Sequence, residues 1–193
     1  AVSATAHQVI REARIMEALS EQGIPVPRIW ARSENSDVLG APFFVMSFVD
    51  GDVIRRNGLP AGLHDNPASH GSIGEQLIDT LADLHAVDWA DTVLSEMSHP
   101  EGFLDRQVGR WMTQLDSYRV RELDGIDDLA QWLQTNTPDR ADLTVMHGDY
   151  KVDNVIWAPA PPPRIACIVD FEMTTVGDPL IDLAWAMIYW PED

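Results

Sequence analysis

Residues 144–170 constrain the fold of this chain more than any other segment, because a polar octapeptide interrupts three short apolar runs. HGDYKVDN (147–154) lies between LTVM and VIW, and a turn, APAPPPR, then leads to IACIV. At roughly 3.3 Å per residue, the two strands around that turn form a hairpin that returns Asp170 to the neighbourhood of Asn154. The pattern therefore predicts a cluster of polar side chains at one end of a buried β-hairpin.

The residue types in this cluster suit metal-assisted phosphoryl transfer. A carboxamide oxygen from Asn154 and a carboxylate from Asp170 are ligands that Mg²⁺ accepts, and Mg²⁺ commonly takes only one or two protein side chains. Asp149 lies five residues before Asn154, where we expect it to face outward as a base, and Lys151 supplies a positive charge. A base, a cation and a metal site are the recurring parts of phosphoryl transfer.

The rest of the chain is predicted to form one lobe rich in strands, followed by a helical region. Apolar residues at helical spacing predict a first helix over 6–20, and turn formers at 35–40 predict a hairpin that ends in FFVMSFV. Because this run does not alternate with polar residues, we expect a strand covered on both faces. A polar segment, 52–70, resembles a connector, and we place a lobe boundary near residue 50. Further helices are expected at 71–86, 102–117, 126–136 and 180–190.

Composition excludes several classes of partner. The 193 residues carry a formal net charge of −18, which argues against binding nucleic acid or an anionic membrane surface. The apolar runs are shorter than the roughly 20 residues of a membrane helix, and we expect a cytoplasmic protein. Cys167, the single cysteine, is expected to be a buried thiol, and the tryptophans are expected mainly to supply core area.

The order H-x-D-x-K-x-x-N, followed by an aspartate after an apolar strand, resembles the catalytic and metal loops of the protein-kinase-like fold. The form HGDYKVDN…IVDFE…GDPLIDLAW resembles the aminoglycoside phosphotransferase family, in the branch related to the kinase-like domain of certain acyl-CoA dehydrogenases. AHQVIREARIMEAL, LGAPFFVMSFVDG and LADLHAVDW resemble the family in the same order. The resemblance implies an α+β, two-lobed fold, with an incomplete N-terminal lobe (1–50) of a helix and antiparallel strands. A mostly helical catalytic lobe (51–193) would carry the β-hairpin.

Carried over by position, the resemblance implies ATP and Mg²⁺ as cofactors and a small-molecule hydroxyl as acceptor. It makes Asp149 the catalytic aspartate, beside Lys151, and makes Asn154 and Asp170 the Mg²⁺ ligands. Five further residues take supporting roles. Glu12 would pair with an ATP-phosphate lysine, the Ser47 carbonyl and Val49 amide would bind adenine, and His147 and Asp182 would order the catalytic loop.

Departures from the family pattern leave alternatives open. The Gly-rich loop and its strand lysine would precede Ala1, and we expect the chain to be truncated at both ends. Glu172 stands where the metal loop of the family has glycine. One alternative is a catalytically incompetent fragment or a nucleotide-binding pseudokinase. Another is a metal-dependent hydrolase that uses His147, Asp149 and Asp170. For the acceptor, a metabolite such as a hydroxyacyl-CoA is preferred over an aminoglycoside, while ATP or GTP preference and oligomeric state stay open.

Overall fold

The structure, a computed structural model, describes residues 9–55, 59, 67–139, 142–159 and 162–189. The chain ends and parts of the predicted connector and of the APAPPP turn lie outside these residues. The first elements in chain order are α1 (Val9–Glu21), β1 (Ile29–Ser33), α2 (Ser36–Leu39), β2 (Phe43–Met46) and β3 (Asp52–Val53). They are followed by α3 (Pro67–His85), α4 (Val93–Met97), α5 (Phe103–Tyr118), α6 (Ile126–Thr135) and β4 (Thr144–Met146). The last elements are β5 (Val155–Trp157), β6 (Ile165–Ile168), β7 (Thr175–Gly177) and α7 (Pro179–Ile188).

The predicted first helix is confirmed as α1 over the residues that the structure describes. Its buried side chains recur at helical spacing, at Ala13, Ile15, Met16 and Leu19. The helix ends at Glu21, and Gly23, two residues later, has a φ of 82° that suits a left-handed cap. One face of α1 lies against the β1–β2 hairpin.

The predicted hairpin is confirmed, but its second strand differs from the expectation. β1 and β2 pair antiparallel, from Ile29 opposite Met46 to Ser33 opposite Phe43. The prediction that FFVMSFV is covered on both faces is wrong, because the strand ends at Met46 and Phe48 is 92% exposed. In the described part of the chain this sheet has two strands, and β2 is half-buried at Phe43 and Phe44 but exposed at Val45 and Met46.

The hairpin predicted around residues 155–168 is confirmed. β5 pairs antiparallel with β6, with Val155 opposite Ile168 and Trp157 opposite Ile165. β3 adds to the other edge of β5, within the segment that the sequence presents as a connector. That interpretation is therefore wrong in part, since it misses β3 and the first turn of α3. Gly51 is needed just before β3, because a Cβ there would overlap the carbonyl oxygen of Trp157.

A second antiparallel pair, β4 with β7, holds the start of the polar octapeptide. Thr144 lies opposite Gly177 and Met146 opposite Thr175. The sequence predicts β4 but gives no strand at 175–177. This pairing places the loops that follow β4 and β6 side by side.

The core lies between α3 and the hairpins. Ile73, Leu77, Leu81 and Leu84 form the buried face of α3, as predicted. They belong to one apolar cluster with Trp157 and the other buried strand residues. Burial of one such side chain contributes about 1.5–3 kcal/mol. Other tryptophans correct the core expectation, because Trp30, Trp111, Trp132 and Trp185 are exposed.

Cys167 is buried, as expected, and burial raises the pKa of its thiol to about 11. Among the described residues, no helix combines the length and the apolar character that crossing a bilayer requires.

Candidate active site

The octapeptide 147–154 leaves β4 through a sharp turn at Gly148 and enters β5 through a short 3₁₀ turn, Val152–Asn154. Gly148 has a φ of 85°, and a Cβ there would lie 2.7 Å from the carbonyl oxygen of Met173. Only glycine fits both the left-handed backbone and this close approach. The loop is thus fixed against the segment that follows β6.

The buried carboxylate of Asp182, on α7, holds the backbone at the start of this loop. The His147 N–H donates to Asp182 Oδ2 at 2.7 Å, and the Gly148 N–H donates to Oδ1 at 2.8 Å. His85, at the end of α3, lies 3.1 Å from Oδ2 through its Nε2. Asp182 therefore joins two helices to the loop, and His85 belongs to this network although it was not predicted as a site residue.

The imidazole of His147 is fully buried, and both of its nitrogens form hydrogen bonds. The Asp149 N–H donates to Nδ1 at 3.2 Å, so the proton lies on Nε2, which donates to the Val169 carbonyl at 3.0 Å. Burial lowers the pKa of His147 and outweighs the neighbouring carboxylates, of which Asp182 acts most strongly. A neutral ring with both nitrogens bonded has no lone pair left for a metal, which argues against the hydrolase alternative.

Three donors surround the carboxylate of Asp149. Lys151 Nζ lies 2.6 Å from Oδ2, Asn154 Nδ2 lies 2.9 Å from the same oxygen, and Trp185 Nε1 lies 2.7 Å from Oδ1. Burial by itself would lower the pKa of Lys151, but the hydrogen bond and charge of Asp149 outweigh it and raise that pKa. Lys151 is thus a protonated partner of Asp149 and carries the positive charge that the sequence predicts there.

The hairpin brings the two predicted metal ligands to the same end. The Val169 N–H donates to the Asn154 carbonyl at 3.0 Å. Because Val169 directly precedes Asp170, this bond holds Asp170 near Asn154. Asn154 Nδ2 also donates to the Asp149 backbone carbonyl at 2.9 Å, so the amide nitrogen faces Asp149 and Oδ1 is left for a cation.

Asp170 is exposed, and its carboxylate has no hydrogen-bond partner among the described residues. Its φ of 70° is the one positive value among the described residues other than glycine. Such backbone strain clusters at ligand clamps.

The donor set fits Mg²⁺ better than zinc. A carboxamide oxygen and a carboxylate oxygen are hard ligands, and Mg²⁺ completes its shell with water and phosphate. Within the described part of the chain, no group of three or more His, Cys, Asp or Glu side chains is arranged to hold a metal ion. Zinc sites, in contrast, usually combine three or four ligands that include His nitrogens or Cys sulfurs.

Helix α1 contacts residues 169–174, the segment that the family resemblance makes the metal loop, through two neighbouring side chains. Glu12 Oε1 accepts the Phe171 N–H at 3.2 Å. Arg11 donates to the carbonyls of Glu172 and Thr174. Burial raises the pKa of Glu12 against the effect of the Phe171 N–H, and the charges of Asp170 and Glu172 raise it further. The sequence missed Arg11, whose only signal is its place beside Glu12.

The predicted adenine-binding segment lies after β2. The Ser47 N–H donates to the Arg28 carbonyl at 2.8 Å, and the Ser47 hydroxyl accepts the Arg28 N–H at 3.0 Å. With the described residues, neither the Ser47 carbonyl nor the Val49 N–H forms a hydrogen bond. Among the described residues, no hydrogen bond joins Ser47 or Val49 to the Asp149 cluster.

An apolar groove lies between α5 and α6, with a volume of about 510 Å³. Its walls include Val108, Trp111, Leu129 and Leu133, and Ile181 contributes from α7. Ile181 precedes Trp185 by four residues and so lies on the same face of α7. The groove is therefore adjacent, along α7, to the helix face that contacts Asp149.

The whole chain is similar to known proteins and solved structures. The acyl-CoA dehydrogenase family member 11 of Gallus gallus is 34% identical over 189 residues, which cover 96% of this chain and 24% of that protein. A candidate aminoglycoside phosphotransferase from Ralstonia eutropha JMP134 superposes with a TM-score of 0.84 at 29% identity, covering 94% of this chain and 55% of that one. The chain thus spans about a quarter of the length of the curated relative it matches.

A more distant structure shares the fold. The aminoglycoside phosphotransferase of Streptomyces rimosus, in complex with ADP and streptomycin, gives a TM-score of 0.64 at 18% identity, covering 97% of this chain and 68% of that one. The α+β, kinase-like fold expected from the sequence is therefore confirmed. Residues 2–193 match the phosphotransferase enzyme family. This chain belongs to that family.

Proposed function

We propose that this protein transfers the γ-phosphate of ATP to a hydroxyl group of a small molecule, with Mg²⁺ as the metal. The observation that carries the proposal is the Asp149 carboxylate, which Lys151, Asn154 and Trp185 hold at the hairpin end that also carries Asp170. In this proposal residues 1–50 belong to the nucleotide lobe and residues 51–193 to the catalytic lobe. The cytoplasmic location stays a prediction.

Asp149 would act as the base. Its carboxylate takes the proton of the acceptor hydroxyl as the acceptor oxygen bonds to the γ-phosphorus and the bond to the ADP oxygen breaks. Lys151, next to Asp149, offsets negative charge on the transferred group. When bound between Asn154 Oδ1 and Asp170, Mg²⁺ would neutralise the phosphate oxygens.

The nucleotide would be held by α1 and by the segment after β2. The Ser47 carbonyl and the Val49 N–H, which have no partner among the described residues, suit the donor and acceptor edge of adenine. Glu12 is proposed to pair with a lysine that contacts the phosphates. Its hydrogen bond to Phe171 would couple that pair to the metal loop.

The groove between α5 and α6 favours an acceptor with an apolar part. Among the described residues, no Asp, Glu, Lys or Arg side chain lines it. A polycationic aminoglycoside needs carboxylates to pair with its ammonium groups, and streptomycin is the compound bound in the Streptomyces rimosus structure. We therefore rank a hydroxylated metabolite, such as a hydroxyacyl-CoA, above an aminoglycoside as acceptor.

A screen of ATP consumption by the intact protein tests this proposal. Hydroxyacyl-CoAs, short hydroxylated alcohols, sugars and aminoglycosides would be compared with and without Mg²⁺, and product phosphate esters identified by mass spectrometry. The proposal expects Mg²⁺-dependent phosphorylation of an acceptor with an apolar part. Selective phosphorylation of aminoglycosides would reverse the ranking of acceptors. ATP binding without turnover of any acceptor would contradict the proposed phosphotransferase activity.

One observation favours a second candidate, a nucleotide-binding protein without catalysis. The Glu12 carboxylate accepts the Phe171 N–H, a contact that can hold the segment after β6 in a protein that binds a nucleotide without transferring phosphate. Calorimetric titration with ATP separates the two candidates when it accompanies the turnover screen. Binding with phosphoryl transfer supports the kinase, whereas binding alone supports the non-catalytic protein.

A further inference from the structure

Trp185 contacts the proposed catalytic carboxylate, although its residue type suggests only core packing. Its indole Nε1–H donates to Asp149 Oδ1 at 2.7 Å, and its side chain is 37% exposed. Trp185 follows Asp182 by three residues, so both lie on one face of α7. Asp182 holds the backbone of the loop, and Trp185 holds the Asp149 side chain of the same loop.

The lone pairs of Asp149 are divided unequally between its two oxygens. An ionised carboxylate offers about four acceptor positions, two on each oxygen. Lys151 and Asn154 both donate to Oδ2, which fills that oxygen. Trp185 is the one described donor to Oδ1. An acceptor hydroxyl therefore has one place to give its proton, the second position of Oδ1, directly beside the indole.

The indole is itself held in place. The rings of Trp185 and Tyr189 meet edge to face, with centroids 5.7 Å apart. Lys151 Nζ lies 5.8 Å from the centroid of the Tyr189 ring. Asp149, Lys151, Tyr189 and Trp185 thus form a closed chain of contacts around the carboxylate.

We propose that Trp185 is a positioning residue, which fixes the plane of the Asp149 carboxylate so that the free lone pair of Oδ1 faces the acceptor hydroxyl. The terminal torsion of an aspartate is broad, so donors on both oxygens are needed to set this plane. The proposal rests on the proposed phosphotransferase function. It adds that Oδ1, and not Oδ2, receives the proton.

Trp185→Phe in the intact protein tests the role, because phenylalanine keeps an aromatic ring beside Tyr189 but lacks the N–H. We expect kcat to fall about 10- to 100-fold, the scale on which misplacement of a reacting group acts, with KM for ATP unchanged. The matched control is Trp132→Phe, an exposed tryptophan on α6 that does not line the groove. An unchanged kcat in Trp185→Phe would overturn the proposal, as would a loss of kcat that disappears once it is corrected for the folded fraction.

Indole NMR gives a second readout that needs no turnover. With ¹⁵N-labelled protein, Trp185→Phe identifies the Trp185 Nε1–H resonance by its loss. Asp149→Asn should shift this resonance, whereas Asp153→Asn, at an exposed position in the same loop, should not. If the Trp185 resonance does not shift in Asp149→Asn, the proposed role of Trp185 at Asp149 is wrong. If the wild type phosphorylates no acceptor, the proposed function fails, but the resonance still decides whether Trp185 holds Asp149.

Discussion

Lys151 Nζ lies 2.6 Å from Asp149 Oδ2, so the cation of the octapeptide bonds to the carboxylate that precedes it by two residues. Lys151 is also the only lysine in the 193-residue sequence. The pair is mostly shielded, with about a fifth of each side chain exposed (21% and 22%). A partly shielded, charge-assisted hydrogen bond of this kind orients both groups.

Replacement of Lys151 tests whether this pair serves catalysis or stability. Lys151→Met should lower kcat about 10- to 100-fold, because Asp149 loses a donor and the transferred group loses a nearby charge. Stability should change by only about 0–1 kcal/mol, the range of ion pairs near the surface. Steady-state kinetics and urea unfolding measure the two effects. Lys151→Arg, which keeps the charge, should retain more activity, and full activity of Lys151→Met would refute a catalytic role.

The buried, neutral His147 predicts how stability depends on pH. Because burial lowers the pKa of His147 in the folded protein, the unfolded chain binds more protons between that lowered value and about 6.5. The contribution of His147 to the free energy of unfolding is therefore fully present above about pH 6.5. It decreases as pH falls below that value, by at most about 1.4 kcal/mol per pH unit. Chemical unfolding between pH 5 and pH 8 would compare the wild type with His147→Gln.

The variant should show a shallower loss of stability on acidification. His70→Gln, at an exposed histidine on α3, is the matched control and should leave the slope as in the wild type. Identical slopes in the wild type and His147→Gln would show that His147 is not the titrating group.

Gly148→Ala should destabilise the loop. Alanine at a φ of 85° carries strain of about 1–3 kcal/mol, and its Cβ would also lie 2.7 Å from the Met173 carbonyl oxygen. Thermal unfolding should show a lower midpoint, and turnover should fall. Gly109→Ala on α5 is the control, since its Cβ meets nothing within 4 Å and alanine favours a helix by about 1 kcal/mol. Equal effects of the two substitutions would contradict the packing described for Gly148.

Asp170→Asn tests the proposed metal position. The variant keeps the shape of the side chain but loses the charge, so the Mg²⁺ concentration that gives half-maximal activity should rise at least about tenfold. Glu172→Gln, at an exposed carboxylate two residues later, should leave the Mg²⁺ dependence near that of the wild type. If both variants respond to Mg²⁺ as the wild type does, Asp170 is not a ligand.

The sequence predicted the parts of the fold that depend on periodicity. Apolar spacing gave α1 and α3, and strand length gave the β5–β6 hairpin that brings Asp170 towards Asn154. β7 has only three residues, too short to show a period, and is defined by its pairing with β4. The prediction that FFVMSFV is buried on both faces was wrong, because an apolar run shows that a segment is hydrophobic but not which elements pack against it.

Side-chain contacts across long stretches of sequence were harder to predict. Trp185 is 36 residues from Asp149, and Arg11 is more than 160 residues from the carbonyls it binds. No pattern in the sequence distinguishes such a tryptophan from one in the core. Asp182 was easier to predict, because the family resemblance includes its helix motif. Its carboxylate accepts the backbone N–H groups of His147 and Gly148, in the role that the resemblance implies.

Asp149→Asn, compared with Asp153→Asn in the intact protein, tests the central claim most directly. Both variants remove one carboxylate from the same loop, but only Asp149 accepts bonds from Lys151, Asn154 and Trp185. Phosphoryl transfer would be followed by product formation, and ATP binding by calorimetry. We predict that Asp149→Asn binds ATP but forms no detectable product, while Asp153→Asn turns over as the wild type does. Sustained turnover by Asp149→Asn would contradict the assignment of Asp149 as the base.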